Sequence, residues 1–154
     1  MKTLIVGVGS PILGDDGVGI VIARRCRELF SQNEDVRIVE IGTGGLSLLD
    51  IVSGYDRLIL LDAAISGSPA GTVRVLTEDA LSGAVHLGAG HEADLATTLA
   101  LGRKLAGQSL PRHVHIVAVE VRNITDFSEN LSPEAEAAVP EAVAAVEKLL
   151  KTDL

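Results

Sequence analysis

The sequence predicts a three-layer α/β/α sandwich around a mostly parallel five-stranded sheet, with the fourth strand antiparallel. Three observations carry that prediction. Short runs rich in Val, Ile and Leu, the kind buried on both faces of a sheet, alternate along the chain with stretches of helical period. Hydrophobic residues make up 47% of the 154 and aromatic residues only 2%, so the core must be aliphatic, as such a sheet requires. The connection before the fourth strand is shorter than the dozen or so residues that a parallel crossover needs. The length suits one domain over residues 1–154, and no linker, internal repeat or low-complexity tract interrupts it.

The first strand is TLIVGV, residues 3–8, short and β-branched. After a glycine-rich loop, residues 17–30 place Val18, Ile22, Cys26 and Phe30 at helical spacing. VRIVEI, residues 36–41, is the second strand, and a short helix follows with Leu46, Leu49, Ile51 and Val52 expected to face inward. RLILLDA, residues 57–63, is the third strand, apolar until it reaches Asp62. The loop ISGSPAG leads to the antiparallel strand at residues 72–77. A helix over 91–105 is expected to set Leu95, Leu99 and Leu105 on one face, and residues 113–121 form the fifth strand. The last helix opens with Ser132 as N-cap, Pro133 in the first turn and Glu134 and Glu136 behind it. Pro140, inside that pattern, is expected to kink or divide it.

A formal charge of −8 argues against nucleic acid, which rewards clustered Lys and Arg. The one basic cluster, Arg24, Arg25 and Arg27, is spread around a helix by its spacing. A single cysteine, Cys26, forbids an internal disulfide and points to a reducing compartment. The opening apolar run is too short for a membrane span and has no signal-peptide cleavage pattern. A cytoplasmic monomer, away from membranes, is therefore expected.

Chemistry is expected where α/β sheets put it, beyond the carboxyl ends of the strands at a topological switch point. The loop GVGSPILGDDGVG meets neither the dinucleotide nor the phosphate-loop pattern, and its Asp15 and Asp16 would repel phosphate. One of the two is expected to cap the helix and the other to point into a cleft. Asp62, closing an apolar strand, lies at the same rim and is favoured for function over a role limited to bonding loop amides. His91, where a helix begins, can reach that rim too. His113 and His115 share a face at the start of the fifth strand, at the wrong end, and His86 is a loop residue with no assigned role. Asp16, Asp62 and His91 make two carboxylates and an imidazole, a donor set suited to Ni²⁺, Zn²⁺ or Mn²⁺ with coordination positions left open. Cys26 sits at an apolar helical position, where burial is expected over reactivity, and no G-x-S-x-G elbow exists.

In order along the chain, GVGSPILGDDGVG, GTGGLSLL, LILLDAA, GAGHEADL and LSPEAEAAVP resemble the hydrogenase maturation endopeptidases, which process the large subunit of nickel–iron hydrogenases. The resemblance is collinear and spans nearly the whole chain. It implies an endopeptidase that removes a C-terminal extension from the large-subunit precursor after nickel insertion. It also implies that the nickel, presented by the precursor, is recognised through Asp16, Asp62 and His91, which are likewise the residues of catalysis. Two departures stand out: Glu40 occupies the place where many members have Asp, and Ser10 the place where Asn is common. No catalytic role is carried onto Glu40.

Three other activities compete. A magnesium-binding receiver domain of signalling also has an acidic pair and an aspartate on its third strand. It needs a lysine after the fifth strand, where this chain has Arg122 and Asn123, and it leaves His91 unexplained. A metal-dependent hydrolase of another substrate would use the same three ligands, and a nickel chaperone would bind without cleaving.

Overall fold

The computed structural model of the chain describes residues 1–42, 47–82, 91–106, 109–122 and 124–152. Its strands are β1 (Thr3–Val8), β2 (Val36–Ile41), β3 (Arg57–Ala64), β4 (Val73–Thr77) and β5 (His113–Glu120). They form one sheet in the order β2-β1-β3-β5-β4. The β1–β2, β1–β3 and β3–β5 pairs are parallel and β4 runs antiparallel to β5, as the short connection requires. That antiparallel edge separates the sheet from the flavodoxin-like order of a receiver domain. β3 continues one residue beyond the expected end, while β4 starts and β5 stops one residue inside theirs.

Helices α1 (Val18–Phe30), α2 (Ser47–Val52), α3 (His91–Ala106) and α4 (Pro133–Lys151) cover both faces. Side chains alternate across a strand, so each strand feeds two cores. Ile5, Ile59, Leu61, Val117 and Val119 pack with Val18, Ile22 and Cys26 of α1 and Ala138, Ala142 and Val146 of α4. Leu4, Val6, Leu58, Leu60 and Ile116 pack with Leu48 and Val52 of α2 and Leu99 of α3. Among the described residues, no helix is long and apolar enough to cross a membrane.

Some inward residues differ from expectation. In α2, Leu48 and Val52 are fully buried while Leu49 and Ile51 pack only partly, and Leu46 lies outside the described residues. In α3, Leu99 is buried but Leu105 is 75% exposed. Six residues turn a helix by about 240° beyond a full revolution, so these two leucines cannot share a face. The Leu95 side chain lies outside the described residues. Pro140 does not divide α4, which runs unbroken through it. Pro140 is on the exposed side, where the carbonyl its ring deprives of a partner meets water.

Candidate functional site

The sheet order reverses direction between β1 and β3, and the crevice at their carboxyl ends is where the sequence sets its carboxylates. Leaving β1, the chain turns at Gly9, whose φ of +140° suits only glycine; a Cβ there would stand 2.0 Å from the Asp16 carbonyl oxygen. The loop thus closes on itself and enters a single 3₁₀ turn, Gly14–Gly17, before α1. A second close approach fixes that helix: a Cβ on Gly19 would lie 2.2 Å from the Leu61 carbonyl oxygen and 2.7 Å from that of Val8. The start of α1 is therefore pressed onto the ends of β1 and β3, and the aspartate turn packs against β3.

Neither aspartate caps its own helix, contrary to expectation. Asp15, 2% exposed, turns away to accept from the backbone N–H of Ser132 at 2.7 Å and from its hydroxyl at 2.8 Å. Ser132 in turn caps α4 by accepting from the Ala135 N–H. The capping function exists, but it serves a helix that is distant in sequence. Asp16, equally buried, accepts from the Ser10 N–H through Oδ2 at 2.8 Å. Its Oδ1 is buried without a hydrogen-bond partner among the described residues.

Asp62 is fully buried, opposite Ala118 in the β3–β5 register, and its Oδ1 accepts from the Ala63 N–H at 2.8 Å. It stands two residues inside the end of β3 rather than closing it. His91 is the first residue of α3. The last turn of that helix lies near the amino edge of the sheet, since Arg103 bonds Glu78, just beyond β4, and β5 starts soon after. Sixteen helical residues span about 24 Å, roughly a strand's length, so α3 begins towards the carboxyl edge. The His91 side chain lies outside the described residues, as does His86. Among the described residues, no three His, Cys, Asp or Glu side chains gather as a metal group.

Glu120 was missed by the sequence reading. It is 3% exposed at the end of β5, and its Oε1 accepts from the N–H groups of Ser66 and Gly67 at 2.7 and 2.9 Å. Its Oε2 accepts from the Ser66 hydroxyl and faces Arg74 at 3.5 Å. This carboxylate holds down the loop that follows Asp62. The available signal was the same one that singled out Asp62, an acid ending an apolar strand.

Other candidates settle into structural places. Glu40 takes hydrogen bonds from both Arg24 and Arg27, so this basic pair converges on one partner rather than spreading around the helix. Burial works against its ionisation, yet the hydrogen bonds and charge of the two arginines hold its carboxyl below the ordinary value. Cys26 is fully buried in the core, and burial pushes its thiol up to about 12. His113 lies beside Arg57 at the amino edge of the sheet, far from the aspartates. His115 sits two residues further along, and burial, with Arg57 and His113 nearby, holds it below the usual histidine value.

A family model described as hydrogenase maturation protease, HycI, matches residues 20–149. The hydrogenase expression/formation protein HupD of Thiocapsa roseopersicina is 26% identical over 92% of this chain, which spans 64% of that relative's length. HupM of Azotobacter chroococcum is 30% identical over 92% of the chain and 68% of its own length. Among solved structures, the E. coli hydrogenase maturating endopeptidase HybD superposes with a TM-score of 0.82 at 26% identity, covering 98% of this chain and 93% of its own. The [NiFe] hydrogenase maturation protease HybD of Thermococcus kodakarensis gives 0.78 at 26% identity, covering 98% and 100%.

Proposed function

The chain belongs to the hydrogenase maturation protease family, and from that premise we propose that it is an endopeptidase that removes the C-terminal extension of a nickel–iron hydrogenase large-subunit precursor once nickel is in place. It acts as a cytoplasmic monomer on a folded protein substrate. The observation that carries this reading is Asp16: a carboxylate 2% exposed, fixed through one oxygen by the Ser10 N–H, with the other oxygen unpartnered among the described residues. A buried carboxylate oxygen left bare is costly, and a cation or a proton relieves it.

The donor set fits such a cation. Asp62 stands near the carboxyl end of β3, the strand against which the aspartate turn packs, and His91 would complete the set with a nitrogen donor. Two carboxylates and an imidazole suit nickel or a comparable divalent ion, and three protein donors leave positions for groups of the substrate. The nickel arrives with the precursor, so its first role is recognition: a precursor without nickel offers these residues nothing to hold. Asp16, Asp62 and His91 would hold that nickel, which would supply Lewis-acid polarisation of a carbonyl, so the three would serve catalysis as well as binding. The tight turn at Gly9 and the packing of Gly19 on β1 and β3 supply the rigidity that orients Asp16.

Incubation with nickel-loaded and nickel-free precursors, followed by intact mass, tests this. Loss of a C-terminal peptide from the loaded precursor alone is the expected result. Equal cleavage of both forms would remove the nickel gate, and cleavage of neither across several hydrogenase types would remove the protease activity.

A further inference from the structure

We propose that Ile12 and Phe127 form the docking edge on which this chain receives the body of its precursor substrate, a role that rests on the processing activity proposed above. The chain has two Phe, one Tyr and no Trp. Phe30 and Tyr55 pack against the two cores, whereas Phe127 is 85% exposed.

That exposure belongs to a well-tied segment. Ile124 and Leu131, on either side, pack against the core. Ser128 forms a parallel bridge with Leu13 of the aspartate loop: its N–H donates to the Ile12 carbonyl and its carbonyl accepts from the Gly14 N–H, both at 2.9 Å. Four residues on, Ser132 is clasped by Asp15. One position before the bridge on each segment stand Ile12 and Phe127, register neighbours of a parallel pair, and Ile12 is itself 50% exposed. Beside Ile12 opens a hollow of about 390 Å³, lined by Pro11, Val21 and Leu131 with the charged Arg24 and Glu129.

Exposed aromatic residues are enriched at interface cores, and an aromatic with an aliphatic neighbour on a rigid frame leaves little ordering cost for binding. Two features name the occupant. Ile12 precedes Asp16 by four residues in one loop, so a substrate engaging Asp16 lies next to this edge. Exposed Glu129 lies two residues past Phe127 and lines the hollow, on a chain of formal charge −8, so the fitting surface is apolar with Lys or Arg on its border.

The test is the Ile12→Ser/Phe127→Ser double variant of the full chain. Its melting temperature should match the wild type, since both side chains face solvent. Its KM for nickel-loaded precursor should rise about tenfold or more with kcat little changed, and its affinity for nickel-free precursor, read by calorimetry, should fall by the same factor. A wild-type KM in the double variant overturns the docking edge, as does a fall in kcat at unchanged KM. If the wild type binds precursor without cleaving it, the processing activity fails alone; loss of binding in the variant then still supports the edge, and retained binding overturns it. If the wild type neither binds nor cleaves, both fall. A wild-type dimer that the double variant dissociates assigns the edge to a second copy of the chain and overturns the precursor as occupant.

Discussion

The Asp15 carboxylate holds both the backbone N–H and the hydroxyl of Ser132, at 2.7 and 2.8 Å, across 117 residues of sequence. Through it, the loop after β1 is joined to the N-terminus of α4. The other end of α4 is joined to the sheet by buried Arg57, which donates to the carbonyls of Leu149 and Thr152. The last helix is thus fixed at both ends, and one of its two fixing points is the neighbour of Asp16. Two adjacent carboxylates divide the work: Asp15 is saturated by the fold, and Asp16 keeps an oxygen in reserve.

Asp15→Ala should lower stability by about 1–3 kcal/mol, because it leaves the Ser132 N–H without its acceptor. Ser132→Ala loses the cap as well and should cost about 1 kcal/mol or more. Urea unfolding of both single variants and the double variant reads the coupling. Strictly additive losses would mean that the two residues do not act as one clasp.

Asp16→Asn retains an oxygen for the Ser10 N–H while removing a buried charge. Stability should stay level or rise, while processing of nickel-loaded precursor falls by about two orders of magnitude or more. Stability gained at the expense of activity is the signature of a residue kept for function. A variant that is destabilised yet still active would place Asp16 with Asp15, as part of the scaffold.

The layers of the fold were legible in sequence because each strand is an aliphatic run of strand length, and the antiparallel β4 because its connection is too short to cross over. Asp62 could be set towards the carboxyl rim because it stands near the end of an apolar strand, and Asp16 because its loop leaves the same end of the neighbouring strand β1. The Asp15 clasp was not legible, since no local pattern points from a loop to a serine 117 residues away. Pro140 does not divide α4 because it stands on the exposed side, where the carbonyl left without a helical partner is open to solvent. Glu120 was passed over although it repeats the Asp62 pattern, because its donors, Ser66 and Gly67, come from a loop whose fold only the structure shows.

Cys26 should resist alkylation in the native protein at pH 8 and react freely in urea, since burial holds its thiol near 12. The same shift sets a pH dependence. A group whose folded pKa is raised contributes its full stability below the unfolded value and loses it as pH rises towards the folded one. Unfolding free energy should therefore decline from about pH 9 upward, and the decline should be shallower in Cys26→Ala, which has no thiol to ionise. Equal slopes in the two proteins would show that the alkaline loss comes from other groups.

Glu120→Gln tests whether the loop after Asp62 is held by a carboxylate or merely by its turn geometry. The amide can still accept from the Ser66 and Gly67 N–H groups through its remaining oxygen. Its NH2, however, replaces an acceptor that met the Ser66 hydroxyl, and that hydroxyl already accepts from Arg74 at 2.6 Å. The Ser66 O–H must then turn away so that its oxygen can accept from the amide, and Arg74 loses its counter-charge, at a cost of about 1–3 kcal/mol. Arg74→Ala should cost less, because Glu120 keeps all three of its donors from Ser66 and Gly67. Hydrogen exchange reads the loop directly: the Ser66 and Gly67 amides should lose protection in Glu120→Gln and largely keep it in Arg74→Ala. If protection is equal in both variants and the wild type, the loop stands without Glu120, and the backbone bonds of Gly71 and Thr72 to the Glu120 main chain are enough to hold it.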